Sequence, residues 1–237
     1  MGGYVVRTLN AGLFRPADKF LAMNTSLPEG RVDLSPADIE ALDDRWARAW
    51  TPHQAAQRLD GVAAPWYVAG GWAVDLFRGR QTRRHADLEI AVPAAHFGET
   101  RERFLAPEYV FDAVGDKCVW PDAAPEALAV THQTWLRDPV SGDYLVDVVR
   151  EPHEGQTWIC RHDPTIRLPY AAIIDHTADG IPYLTPELVL LFKAKHTRPK
   201  DQLDFEGVVP ELSRAQRARL AELIGHTYPD HRWLEQL

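Results

Sequence analysis

Cysteine is scarce in this 237-residue chain: Cys118 and Cys160 are the only two, far apart, so no disulfide framework is available. No apolar run approaches the ~20 residues of a membrane-crossing helix, and no secretory leader is recognisable; a cytoplasmic protein without membrane contact is expected. The two common phosphate-binding signatures, GxxxxGK[ST] and GxGxxG, are missing. So are C-x-x-C, H-E-x-x-H and the deaminase pattern, which leaves the ten histidines without a recognisable zinc arrangement. Positive charge is also in deficit, with 26 Lys and Arg against 34 Asp and Glu, a formal net charge of -8. That balance, with a pI of about 5.7, argues against broad nucleic-acid binding and favours a small or cationic substrate.

What is present falls into three parts. Residues 1–35 lack sustained periodicity and are expected to form an extension. From Ser35 the pattern changes: a capping serine, Pro36 at the first helical position, then Ile39, Leu42, Trp46 and Trp50 at helical spacing. Residues 36–184 mix short strand and helix patterns, including strands at 66–69, 87–92 and 144–151, a short helix at 72–77 and a helix through Phe97 and Phe104. A hairpin turn is expected at Gly142 and Asp143. Residues 185–237 read as helical, with Ser213 as a cap and Gly225 near a stop. The expected fold class is α+β, a mixed sheet flanked by helices with a C-terminal helical region.

The chemistry concentrates between residues 66 and 92, WYVAGGWAVDLFRGRQTRRHADLEIAV. Gly70 and Gly71 sit where a strand hands over to a helix, a place where bare backbone N–H groups and the helix terminus suit a phosphate. Asp87 and Glu89, one residue apart in a strand, would share a face with Cα atoms ~7 Å apart. Such a pair suits either solvent or a hard cation such as Mg²⁺. Asp147 interrupts the apolar run of YLVDVVRE, where it is either an edge-strand charge or a third carboxylate. Arg78, Arg80, Arg83 and Arg84 lie between the helix and the acidic strand and have the charge to neutralise a triphosphate. Asp112, Asp116, Asp122 and Glu126 are candidate walls of a cleft for a cationic acceptor.

Taken together, AGGWAVDLFRGRQTRRHADLEI resembles the nucleotidyltransferase superfamily typified by DNA polymerase beta, and within it the aminoglycoside 2''-adenylyltransferases and lincosamide nucleotidyltransferases. The shared features are GGW, Asp75 in the ensuing helix, and the run Thr82, Arg83, Arg84, His85 before the acidic strand. Glu89 stands where aspartate is commoner. The resemblance implies an enzyme that transfers a nucleoside monophosphate from ATP or another NTP to a hydroxyl, with Mg²⁺, two ions, as cofactor. It implies Asp87 and Glu89 as metal ligands and catalytic residues, and Asp147 as third ligand or base. Gly70, Gly71, Arg84 and His85 would meet the nucleotide, with Lys195 and Lys200 reaching it from the helical part. The acceptor would be a small molecule such as an aminoglycoside; a tRNA or protein acceptor, or a non-catalytic nucleotide-binding relative, are the alternatives.

Overall fold

A computed structural model describes residues 27–104 and 109–237, so the expectation for the first 26 residues lies outside the described residues. The first helix, α1 (Pro36–Arg45), starts where the sequence placed it. Ser35 Oγ accepts from the Asp38 amide at 3.2 Å, and the Asp38 carboxylate accepts from the Ser35 amide at 2.9 Å. Thr51 and Gln54 repeat the device at the start of α2 (Pro52–Arg58).

Nine strands then build one mixed sheet. In chain order they are β1 (Val32–Asp33), β2 (Tyr67–Val68), β3 (Glu89–Pro93), β4 (Val110–Gly115), β5 (Cys118–Trp120), β6 (Gln133–Arg137) and β7 (Tyr144–Glu151), with β11 (Ile174–His176) and β12 (Pro182–Leu184). In space they run β1-β5-β4-β6-β7-β3-β2-β12-β11. The β3–β7 and β2–β12 pairs are parallel and the rest antiparallel. A separate ribbon of β8 (His153–Glu154), β9 (Thr157–Ile159) and β10 (Arg167–Pro169) follows β7.

The remaining helices are α3 (Gly70–Phe77), α4 (Phe97–Phe104), α5 (Pro125–Ala129), α6 (Pro186–Ala194), α7 (Pro199–Val208) and α8 (Arg214–Thr227). The chain thus adopts the mixed-sheet α+β architecture its sequence implied. The main core joins Val68, Ile90, Val92 and Val148 of the sheet to Leu188 and Leu191 of α6 and to Leu220 and Ile224 of α8. The C-terminal helices therefore share the sheet's interior. A smaller cluster packs Leu42 and Trp46 of α1 on Trp135 and Tyr144, with Trp46 meeting Trp135 edge-on at 5.6 Å.

Two local expectations are corrected. Asp87 precedes β3 rather than lying in it, because pairing begins at Glu89. The edge-strand reading of Asp147 fails, since β7 lies between β6 and β3 and all eight of its residues are buried. Gly225 lies near the end of α8, as expected, the helix closing two residues on at Thr227.

Candidate functional site

The turn from β2 into α3 needs both of its glycines, for different reasons. Gly70 has φ +61°, a left-handed conformation that a side chain would strain, and a Cβ there would lie 3.1 Å from Glu89 Oε2. Gly71 is closed in by neighbours instead: its Cβ would stand 2.5 Å from His85 Nδ1 and overlap the Arg83 guanidinium. Ala69 N donates to Glu89 O at 2.8 Å, tying the turn to β3, and no side chain caps α3. The first backbone N–H groups of that helix therefore sit beside the acidic strand, where an anion is favoured.

Register brings the carboxylates together. Glu89 is the direct partner of Asp147 across the parallel β3–β7 pair, and Asp147 N donates to Leu88 O at 2.8 Å. Partners in register point to one face, so the row Asp112, Trp135, Asp147, Glu89 crosses four strands on a single side of the sheet. Asp147 is 1% exposed, whereas Glu89 and Asp87 are half-buried. Gln133 Nε2 donates to Asp147 Oδ2 and fixes the orientation of that carboxylate. Among the described residues, no three His, Cys, Asp or Glu side chains stand close enough to hold a metal ion as they are placed. The donor set still fits Mg²⁺: all three groups are hard carboxylates, two are in register, and glycine leaves room directly against Glu89.

Of the two expected lysines, Lys200 reaches this region. Burial and the neighbouring Arg198 hold its ammonium below the ordinary lysine value, while the Asp87 carboxylate works in the opposite direction. Lys195, half-buried, sits at the C-terminal end of α6.

The arginine loop is anchored on both sides. Asp75, buried in α3, accepts from Thr82 N at 3.0 Å and Thr82 Oγ1 at 2.5 Å, and its other oxygen meets His85 Nε2 at 2.5 Å. The His85 ring packs 4.5 Å from Trp72 and its side chain is only 3% exposed. His85 therefore fixes the loop from inside, and any effect on a nucleotide passes through that position. Burial pushes its pKa below the ordinary value against the pull of Asp75. Arg83 forks onto Asp204 of α7 at 3.1 and 3.0 Å. Burial opposes the charge, but Asp204 holds the guanidinium above its usual range. Lys193 joins Asp204 to Asp201 at 2.9 and 3.0 Å, and Arg198 Nε adds 2.6 Å to Asp201. Arg84 projects to solvent, and Arg78 and Arg80 both meet Glu211.

Sequence reasoning missed Gln133 and the network of Lys193, Asp201 and Asp204. The acid pair at i, i+3 in an otherwise mixed helix was the available signal for the second. The acidic acceptor cleft needs correction. Asp112 is buried and already neutralised by Arg137 at 2.7 and 3.1 Å, with Tyr144 OH at 3.3 Å. Asp122 and Glu126 line a separate hollow of about 350 Å³ with Trp120 of β5, three strands from β7. Both cysteines are buried and free, and burial pushes the Cys160 thiol up to about 11. Among the described residues, no helix is long and apolar enough to cross a membrane.

A mixed sheet with a glycine turn, a helix N-terminus and an acidic row along parallel strands is the setting expected of a nucleotidyltransferase core. Comparison with known sequences points the same way over part of the chain. Residues 53–113 match the family model for aminoglycoside-2''-adenylyltransferase. A 2''-aminoglycoside nucleotidyltransferase of Klebsiella pneumoniae is 38% identical over 47 residues, 20% of this chain and 27% of that protein. One from Escherichia coli is 36% identical over the same span. The match thus spans about a quarter of the length of these curated relatives. Among solved structures, the lincosamide antibiotic adenylyltransferase LnuA, lincomycin-bound, aligns at TM-score 0.46 and 16% identity over 74% of this chain and 96% of that one. ANT(2'')-Ia in complex with adenylyl-2''-tobramycin aligns at TM-score 0.46 and 16% identity, over 72% and 94%. The family resemblance of the sequence is therefore supported over residues 53–113, the segment that carries the glycine turn and the first two carboxylates.

Proposed function

We propose that the chain is a nucleotidyltransferase that moves a nucleoside monophosphate, from ATP in the first instance, to a hydroxyl of a cationic small molecule of the aminoglycoside type. The observation that carries this reading is the in-register pairing of Glu89 with Asp147 beside the Gly70 turn. The family match over residues 53–113 and the names of the curated relatives support the acceptor class, as does the net charge of -8.

In this reading the acceptor oxygen attacks the α-phosphorus, the new P–O bond forms as the bond to pyrophosphate breaks, and the hydroxyl proton leaves to a base. Asp147 serves as that base, its carboxylate held in one orientation by Gln133 at Oδ2. Gly70 and the α3 terminus admit the triphosphate to backbone N–H groups, and Lys200 supplies positive charge from α7. Asp87, Glu89 and Asp147 would hold Mg²⁺, which supplies charge neutralisation and alignment of the phosphates. Most of the rate advantage in such transfers comes from positioning and electrostatics, which rigid strands provide.

The acceptor is tested by incubating the protein with Mg²⁺, labelled ATP or GTP, and a panel of aminoglycosides and lincosamides. Labelled product with at least one aminoglycoside is expected. Transfer to lincosamides alone would displace the aminoglycoside assignment, and triphosphate binding without any transfer would favour a non-catalytic relative or an acceptor outside the panel.

A further inference from the structure

A second feature lies on the opposite face of β7. Arg150 is three residues from Asp147, so alternation turns its side chain away from the carboxylate row. It is 5% exposed, and among the described residues no carboxylate pairs with it. Its Nη1 donates to Leu128 O and its Nη2 to Thr131 Oγ1 at 2.6 Å, while its buried Nε meets no acceptor among the described residues. Those two bonds use two of the five N–H groups a guanidinium carries. Burial lowers the group to about 10, which leaves it charged at neutral pH. A buried cation without a counter-charge is costly, and here the Phe97 ring, 5.5 Å from the guanidinium carbon, adds only a weak cation–π contact.

The guanidinium borders a cavity of about 590 Å³ whose walls include Phe97, Gly98, Arg101 and Leu128. Arg101 brings a second buried Nε that meets no acceptor among the described residues. The first turn of α4 also faces this space, and a Cβ built on Gly98 would meet nothing within 4 Å. Two cationic groups with unspent donors, set among apolar walls in an otherwise acidic chain, describe a receptor for negative charge on an apolar body.

We propose that this cavity is a second ligand site, separate from the nucleotidyl-transfer centre, which binds a small organic oxyanion: a carboxylate or phosphate monoester on a compact apolar group. Arg150 is the buried counter-charge and Arg101 the second donor. A purely structural role, Arg150 pinning the end of α5 through Leu128, would leave the protein indifferent to such anions.

The test is thermal unfolding of the full chain with benzoate or phenyl phosphate, at constant ionic strength, with benzylamine as the cationic control. A ligand bound only by the folded state raises the midpoint in a saturable way. Saturable rises of several degrees with benzoate or phenyl phosphate are expected, and none with benzylamine. Whichever anion acts at the lower concentration identifies the head group. Arg150→Met should shift the half-saturating concentration at least tenfold upward, and Gly98→Phe, which fills the cavity without changing charge, should abolish the response. If Arg150→Met does not fold, Gly98→Phe and Arg101→Gln carry the comparison. No saturable rise in the wild type, or equal rises in wild type and folded variants, would overturn the proposal.

Discussion

At the scale of single residues, the glycine pair separates two physical demands that look identical in a sequence. Gly70 is set by its φ of +61° and by the Glu89 carboxylate, Gly71 by the side chains of His85 and Arg83. Gly71→Ala forces a methyl group into the His85 ring, so a loss of about 1 to 3 kcal/mol of stability is expected from overpacking, read by urea denaturation. Nucleotidyl transfer should fall with it, because the loop between α3 and β3 must move. His85 provides a pH test. Burial depresses its folded pKa below the ordinary value of 6.5, so the unfolded chain takes up a proton first as pH falls. Its contribution to stability is thus present above about pH 6.5 and is lost as acidification proceeds below it. Unfolding midpoints of the wild type should therefore drop between pH 7 and 5 more steeply than those of His85→Gln. Parallel curves would show that His85 does not titrate as its setting implies.

At the scale of elements, the arginine loop is clamped to α7 rather than left to solvent. Asp204 is 4% exposed and serves both Arg83 and Lys193. Removing one member of a buried ion pair leaves the others uncompensated, so Asp204→Asn should cost about 3 kcal/mol in chemical denaturation. The neighbouring Asp201 is drawn down to about 2: burial opposes ionisation, but Arg198 and Lys193 overcome it. With the unfolded carboxyl near 3.9, that stabilisation is complete above about pH 4 and disappears as pH falls toward 2. Asp201→Asn, which lacks this stabilisation at every pH, should unfold in acid at a higher pH than wild type; an unchanged or downward-shifted acid transition would contradict the assignment. The elements themselves differed in legibility. β7 and α1 could be read in advance because a strand-length stretch rich in Leu and Val and a serine–proline cap are strong local signals. The strands β5 and β8 to β12 could not, since two or three residues are too few for alternation to show.

At the scale of the whole molecule, sheet topology converts scattered residues into a site. Asp147 lies far from Asp87 in sequence, yet the parallel placement of β7 beside β3 sets it against Glu89. The sequence supplied the residue types and the loop motif; register, which depends on which strands neighbour one another, was not in it. The same limitation explains Asp112, an apparent surface acid that the sheet buries against Arg137, and Gln133, an ordinary strand glutamine until β6 brings it to Asp147. The motif itself was legible because one chain segment carries the glycine turn, Asp75, His85 and the first two carboxylates. The most direct test of the central claim compares wild type with Asp87→Asn for Mg²⁺-dependent release of pyrophosphate from ATP in the presence of an aminoglycoside. The account expects stoichiometric nucleotidylated product from wild type and at least a hundredfold loss in the variant, with unchanged circular dichroism and unfolding midpoint. Full activity in folded Asp87→Asn would contradict it.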